Sequence, residues 1–327
     1  MPPIGLLNLN KPSRMTSREA VDLVQRAAGR VKAGHAGTLD PLASGVLVVC
    51  LGAATRLIEY VQRMPKHYAA TFLLGRQSPS EDVDTPVTEL PNPPVPTFEE
   101  IAAAAARLTG PIRQRPPAYS AVKVAGRRAY DLARRGRPVD LEPRTVTVYR
   151  LEVEWYAYPE LRLRVECGSG TYIRSLGRDL AESLGTAAVM SHLVRTAVGR
   201  FHLAGAVDPT ALDRENWSQY LLPPLRAVET LPRVTLDAAE LARVRSGQSI
   251  ERSDVPPGEE TGTGTSLDAL FPRSSQAGSE PVPVSSQALR GRPAEVAALD
   301  PAGRLAAILT PRGPGLWGPV HNLPDVT

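Results

Sequence analysis

Several routes to function are closed by what this 327-residue sequence does not contain. It has two cysteines, Cys50 and Cys167, in no C-x-x-C pair, which leaves neither a disulfide framework nor a thiolate metal cage. Each falls in or beside an apolar run and reads as a small buried hydrophobe. The five histidines (His35, His67, His192, His202 and His321) show no H-E-x-x-H spacing and no Cys/His cluster, so no metal is expected. There is no G-x-x-x-x-G-K-[ST] phosphate loop and no G-x-S-x-G elbow. Gly168-x-Gly170 lacks the third glycine of a dinucleotide fingerprint, Ile173 standing in its place, and no cofactor is expected. No window approaches the roughly 18 consecutive apolar residues of a membrane helix. Met1-Pro2-Pro3-Ile4-Gly5 has neither the basic nor the apolar stretch of a signal peptide, so a cytoplasmic protein is expected.

What is present suits a globular chain. Hydrophobic residues make up 42% and charged residues 22%, enough for a sizeable core, and the length fits about two domains. The net charge of +4 decides nothing, but its distribution does. From Arg107 to Arg144 there are ten basic residues against Asp131, Asp140 and Glu142, a local excess larger than that of the whole chain. Tyr119 and Tyr130 are interleaved with these cations, and Pro116-Pro117 and Gly126 interrupt regular structure. A basic arm carrying rings suits a phosphate backbone with unpaired bases to stack on; a solvated helix face is the plainer alternative.

Capping boxes Thr16-x-x-Glu19 and Thr97-x-x-Glu100 predict helices, the second stopped by Gly110. Gly45 to Leu51 predicts a strand buried on both faces. Leu161, Leu163 and Val165 alternate with charges, predicting a strand with one wet face. A helix with Ile173, Leu176, Leu180 and Leu184 on one stripe follows. The elements mix without a βαβ rhythm, which predicts an α+β fold. Prolines near residue 230 separate a first domain, 1–230, from a small β-rich one, 231–327, with an Asp237-x-x-Glu240 helix. Within the latter, 258–286 is mostly Gly, Ser, Thr and Pro and is expected to be a mobile surface insertion.

Two glycine-rich elements carry the candidate chemistry. In Gly34-His35-Ala36-Gly37-Thr38-Leu39-Asp40-Pro41-Leu42-Ala43-Ser44-Gly45, Pro41 pushes Asp40 toward extended geometry at the mouth of the buried strand. A carboxylate held there can meet a reacting group accurately; on spacing alone, a turn cap remains the alternative. A nucleophilic carboxylate needs a cationic or hydrogen-bonding partner. Gly170-Thr171-Tyr172-Ile173-Arg174 offers one, since an arginine can clamp a carboxylate bidentately. Taken alone, Arg174 could equally form a surface ion pair.

Side by side, these elements closely resemble those of the TruB-type tRNA pseudouridine synthases. Leu7-Asn8-Leu9-Asn10-Lys11-Pro12 resembles the family's K-P motif, His35 to Gly45 its catalytic loop, and Lys66-x-Tyr68 with Leu74-Gly75 its tyrosine motif. Pro116 to Lys123 resembles its RNA-binding thumb, and Gly170 to Arg174 its arginine motif. Ala36 and Ser44 depart harmlessly from residues more often Thr. Arg76 to Pro86 departs further, with Pro79 and Thr85 where the family has a Thr/Asp-rich stretch closed by Gly.

The resemblance implies a mixed, largely antiparallel sheet with flanking helices and a PUA-like C-terminal β-barrel. It implies an isomerase, without cofactor or metal, that turns uridine 55 in the T loop of tRNA into pseudouridine. By it Asp40 is the nucleophile, Tyr68 stacks on the target uracil, and Arg174 partners Asp40. Tyr172 and Leu193 line the pocket, and His35 fills the RNA loop once the uridine is flipped out. Lys11, Lys123, Arg127 and Arg128 are expected at the RNA. The T arm of tRNA is the expected partner of a monomeric chain. An RNA chaperone with incidental modification and a base-releasing glycosidase are the rival readings. Arg174→Met is expected to harm turnover far more than folding.

One prediction follows from charge alone. Replacing Arg127, Arg128, Arg134 and Arg135 together by neutral residues should weaken tRNA binding and lower its salt slope by roughly one unit per lost phosphate contact. Binding titrations across salt concentrations read the slope, and an unchanged slope would point this arm away from RNA.

Overall fold

The computed structural model describes residues 2–120, 122–124, 127–133, 141–253 and 294–324. The insertion at 258–286, and Arg134, Arg135 and Arg137 of the basic arm, lie outside the described residues.

The described chain forms two compact units. The larger spans Leu7–Cys50 and Ile58–Leu221; the smaller gathers Met1–Leu6, Leu51–Leu57 and Leu222–Thr327. In order along the larger come β1 (Gly5–Lys11, which begins at its margin), α1 (Ser17–Ala27), β2 (Ala33–His35), β3 (Ser44–Leu51), α2 (Ile58–Arg63) and β4 (Lys66–Leu74). A two-residue ladder, β5 (Arg76–Gln77) with β6 (Thr88–Glu89), leads to α3 (Phe98–Arg107) and β7 (Gly110–Gln114). A second small ladder, β8 (Lys123–Val124) with β9 (Arg127–Arg128), precedes α4 (Ala129–Ala133). The long hairpin β10 (Arg144–Ala157) and β11 (Glu160–Cys167), then α5 (Ile173–Glu182), β12 (Ala188–Val198) and β13 (Phe201–His202), complete it.

Both helices expected from capping boxes form as predicted. Thr16 and Thr97 each accept from the backbone N–H three residues on, while Glu19 and Glu100 reach back to the cap N–H. The second helix gives out at Leu108, two residues before Gly110. The run beginning at Gly45 is a strand buried almost throughout, and Leu161, Leu163 and Val165 face the core from β11 as their alternation requires.

The main sheet runs β1-β3-β12-β4-β11-β10-β7, with β2 and β13 at its side. Its pairs are antiparallel from β12 through β7, while β3 and β12 run parallel. The sheet is therefore mixed and largely antiparallel. Central β12 is paired on both edges: Arg195 stands opposite Gly45 of β3 on one and opposite Tyr68 of β4 on the other.

Helices α3 and α5 cover one face. Ile101, Ala104 and Ala105 from α3, and Leu176, Leu180 and Ala181 from α5, close over Phe72, Leu74, Leu161, Leu163 and Val165. Each such large apolar side chain taken out of water stabilises the fold by about 1.5–3 kcal/mol. Cys50 and Cys167 belong to the interior as expected, and burial pushes both thiols up to about 12.

The smaller unit contains β14 (Arg233–Thr235), α6 (Ala238–Arg245), β15 (Ile250–Glu251), β16 (Val296–Leu299), β17 (Leu305–Gly313) and β18 (Leu316–Asn322). They form a curled five-stranded sheet ordered β14-β16-β17-β18-β15, with α6 started by the expected Asp237/Glu240 box. Its own core includes Val234, Val244, Ile250, Leu309 and Trp317. Among the described residues no helix is long and apolar enough to cross a membrane.

Helix α5 lies so near β4 that a Cβ at Gly177 would fall 2.0 Å from the Phe72 ring. Glycine to alanine inside a helix ordinarily stabilises by about 1 kcal/mol. Here a fully buried ring stands in the way, so Gly177→Ala should instead destabilise by about 1–3 kcal/mol, read from urea unfolding. A stabilised variant would mean that α5 can move off the sheet freely.

Candidate active site

The loop between β2 and β3 is fixed from below by the segment that enters α1. Ser17 Oγ accepts from the Leu39 N–H at 2.9 Å and donates to the Leu39 carbonyl at 3.0 Å. Ser13 Oγ donates to the Leu42 carbonyl at 2.9 Å, and the Arg14 N–H to the Pro41 carbonyl at 2.6 Å. The Ala43 N–H closes the turn onto the Asp40 carbonyl at 3.1 Å. Asp40 thus stands on a loop held on both sides, its side chain 34% exposed.

Its partner comes from the first turn of α5. Arg174 Nε lies 2.9 Å from Asp40 Oδ2. The rest of the guanidinium is committed elsewhere: Nη1 donates to the Ser80 carbonyl at 2.8 Å and Nη2 to the Tyr119 carbonyl at 3.0 Å. Nη1 also lies 3.6 Å from Asp82 Oδ2, and the Asp82 side chain is only 4% exposed. The contact with Asp40 is therefore made along the Nε edge, with the terminal fork turned toward the 80s loop and the arm, where the sequence had allowed a bidentate clamp.

Asp82 is the residue that sequence reasoning missed. It lies in the stretch that departs from the family pattern, where the irregular Pro79 and Thr85 drew attention instead of the acid between them. Ser80 Oγ donates to one Asp82 oxygen, as does the Asp84 N–H at 3.0 Å. Burial pushes the Asp82 carboxyl above its ordinary range, while the Ser80 hydrogen bond and Arg174 pull back. The neighbouring Glu81 has a left-handed backbone, φ 64°, which costs about 1–3 kcal/mol at a non-glycine residue. That turn lets Glu81 accept from Ser175 Oγ at 2.8 Å and pair with Arg178, while Asp82 faces Arg174. The only available signal was Ser80-Glu81-Asp82 itself, two acids inside a loop with nothing local to neutralise them.

Tyr68 and Leu193 complete the setting from the sheet. Leu193 is buried in the main core with Leu39 and Ala43, and Tyr68 packs against that cluster. Burial pushes the Tyr68 phenol up, and the charge and hydrogen bond of Arg195 oppose the rise. Tyr172 precedes α5, its backbone held twice by the Gln114 side chain (2.8 and 3.1 Å) and its ring under the Arg144 guanidinium at 5.0 Å.

The residues expected at RNA are scattered. His35 is half-buried, its Nδ1 without a hydrogen-bond partner among the described residues; burial, then the charges of Arg195 and Arg18, lower its pKa. Lys11 is wholly buried and donates to the Pro12 and Met15 carbonyls at 2.9 and 2.6 Å, so its ammonium braces the turn that follows β1. Burial lowers its pKa to about 8. Lys123, Arg127 and Arg128 lie on the β8–β9 ladder, and their side chains lie outside what the structure describes. The Tyr119 and Tyr130 rings meet edge to face, centroids 6.1 Å apart. Among the described residues no group of three or more His, Cys, Asp or Glu is gathered as for a metal.

Against known proteins, the model of the TruB family pseudouridylate synthase N-terminal domain matches residues 25–173. A tRNA pseudouridine synthase B of Dehalococcoides mccartyi (strain ATCC BAA-2266) is 36% identical over 96% of this chain and 95% of its own length. One from Synechocystis sp. is 40% identical over 78% of this chain and 88% of its own. Among solved structures, the Cbf5-Nop10-Gar1 complex contains a chain 26% identical, TM-score 0.64, covering 94% of this chain and 78% of that one.

The depth of Arg174 revises the expectation that its loss would spare folding. Arg174→Met leaves Asp82 buried without its cation, and removal of one partner of such a pair costs about 3–5 kcal/mol. The folded variant then holds a proton on Asp82 more readily than the unfolded chain does. Its deficit should therefore be full above the raised folded pKa and shrink as pH falls through that value toward the ordinary carboxyl range. Urea melts at neutral and mildly acidic pH check this; wild-type stability at pH 7 would refute it.

Proposed function

This chain belongs to the TruB family of pseudouridine synthases, which are isomerases, and we propose that it converts uridine 55 in the T loop of tRNA to pseudouridine with Asp40 as nucleophile. The observation that carries the reading is the 2.9 Å contact between Asp40 and the buried Arg174, since it joins the two glycine-rich motifs into one charged pair facing Tyr68's strand.

A stacked uridine is beyond reach of any side chain, so the enzyme flips it out, at a cost of a few kcal/mol. Tyr68 stacks on the freed base and returns part of that cost. Leu193 and Tyr172 wall the pocket, and His35 occupies the space the base vacates. Asp40 attacks the nucleoside, the N1–C1′ bond breaks, and the uracil turns. A C5–C1′ bond then forms, the bond to Asp40 breaks and releases its carboxylate, C5 loses its proton and N1 takes one up. Atoms and electrons balance within the substrate, so the tRNA keeps its mass and no oxidant, reductant or metal enters the scheme.

The basic segment 107–144 tracks the backbone of the T arm, reading shape as RNA-binding elements do. Residues 1–230 act as the catalytic domain and 231–327 as a PUA-like domain that grips RNA, a reading supported by the curled C-terminal sheet. The enzyme works as a cytoplasmic monomer.

Asp40→Asn tests this directly with unmodified tRNA transcript and site-resolved pseudouridine mapping. Pseudouridine formation should vanish, while tRNA affinity changes by less than about 1.4 kcal/mol, one decade in Kd. Retained turnover would remove Asp40 from the chemistry. Free uracil and an abasic tRNA from the wild type, seen by mass spectrometry, would mean a glycosidase instead.

A further inference from the structure

Arg195 is the largest of the fully buried side chains among the described residues, and burying a guanidinium costs several kcal/mol that an apolar residue of similar volume would avoid. Its hydrogen bonds among the described residues go to backbone carbonyls, not to a carboxylate that would offset the charge. Nε donates to Val46 O at 2.7 Å, Nη2 to Gly37 O at 3.0 Å and Nη1 to Thr38 O at 3.4 Å. All three carbonyls belong to the segment that carries Asp40, two just before it and one at the strand that follows. The backbone of Arg195 is equally constrained. A Cβ at Gly45, whose φ is +102°, would sit 2.3 Å from Arg195 O, so β3 approaches β12 here as only glycine allows. Across the opposite edge of β12 stands Tyr68, which pairs with Arg195 in the register of β4.

We propose that Arg195 is a positioning residue for the reaction: its planar guanidinium is a strut that fixes the Asp40 loop relative to Tyr68. This rests on the reading of Asp40 as nucleophile and Tyr68 as the stacking ring. Packing alone gives no reason for a cation at this place, whereas a rigid fork with five donors can serve three carbonyls at once. A lysine ammonium, a point charge on a flexible stem with three donors, cannot. Its replacement by lysine therefore keeps the charge and removes the geometry. Misplacement of reacting groups by about 1 Å is enough to lower a rate about 100-fold.

The test uses full-length Arg195→Lys and Arg195→Met with unmodified tRNA transcript, Asp40→Asn and wild type alongside. Single-turnover rate at saturating enzyme, tRNA Kd and melting temperature are measured for each. The Lys variant should lose about 100-fold in rate while its Kd stays within about threefold and its melting temperature within a few degrees of wild type. If lysine cannot fold there, the volume-matched Met variant must show the same separation of rate from affinity. A folded variant whose rate stays within about threefold of wild type overturns the proposal. So does a rate loss that merely tracks lost stability or lost tRNA affinity in both variants. An active Asp40→Asn would instead overturn the nucleophile reading, so the two failures are told apart.

Discussion

Everything near Asp40 depends on one buried cation, the guanidinium of Arg174. It faces two carboxylates that differ in what surrounds them: the Asp82 side chain is shut away from water, and that of Asp40 is about one-third exposed. The buried acid lies 3.6 Å from the cation and accepts two hydrogen bonds of its own, so it behaves as part of the frame. The open acid meets the same guanidinium along its Nε edge. One arginine thus faces one carboxylate in the interior and another at the edge of water, a division set by exposure and not by residue type. The remaining Arg174 donors, to Ser80 and Tyr119 carbonyls, tie the 80s loop and the root of the basic arm to the same point.

The sheet supplies the accuracy. Strand β12 lies between the strand that continues the Asp40 loop and the strand that carries Tyr68, so one register fixes both. A shift of one residue would turn Leu193 out of the core and Arg195 off its three carbonyls together. The core beneath, from Phe72 to Leu180, resists such a shift because Gly177 leaves no space between α5 and the Phe72 ring.

What could be read from the sequence was whatever is local. The capping boxes at Thr16 and Thr97, the buried run of β3 and the alternation in β11 depend on neighbours within a few positions, and all form as their patterns require. Asp40 and Arg174 were legible because each sits in a glycine-bearing turn with its own signature. Asp82 was not, since its importance comes from a guanidinium 92 residues away in the chain. The burial of Lys11 was hidden for a related reason: an exposed and a buried lysine look the same beside proline, and only the fold of Met15 back over it decides. The grouping of Met1–Leu6 and Leu51–Leu57 with Leu222–Thr327 likewise has no local mark.

The other cations around the loop sharpen the distinction between lysine and arginine. Burial lowers both Lys11 and Lys66 to about 8, and the charge of Arg195 pushes each in the same direction, as it does His35. Groups that can shed a proton respond to a buried positive neighbour by doing so more easily. A guanidinium has no such escape and keeps its charge. The lasting positive field beside Asp40 therefore belongs to Arg174 and Arg195, while the lysines and the histidine are held closer to neutrality by the same field. Such a field disfavours any further cation beside it. The sequence composition, nearly balanced overall, conceals this entirely; it follows only from which two arginines the strands and α5 bring inside.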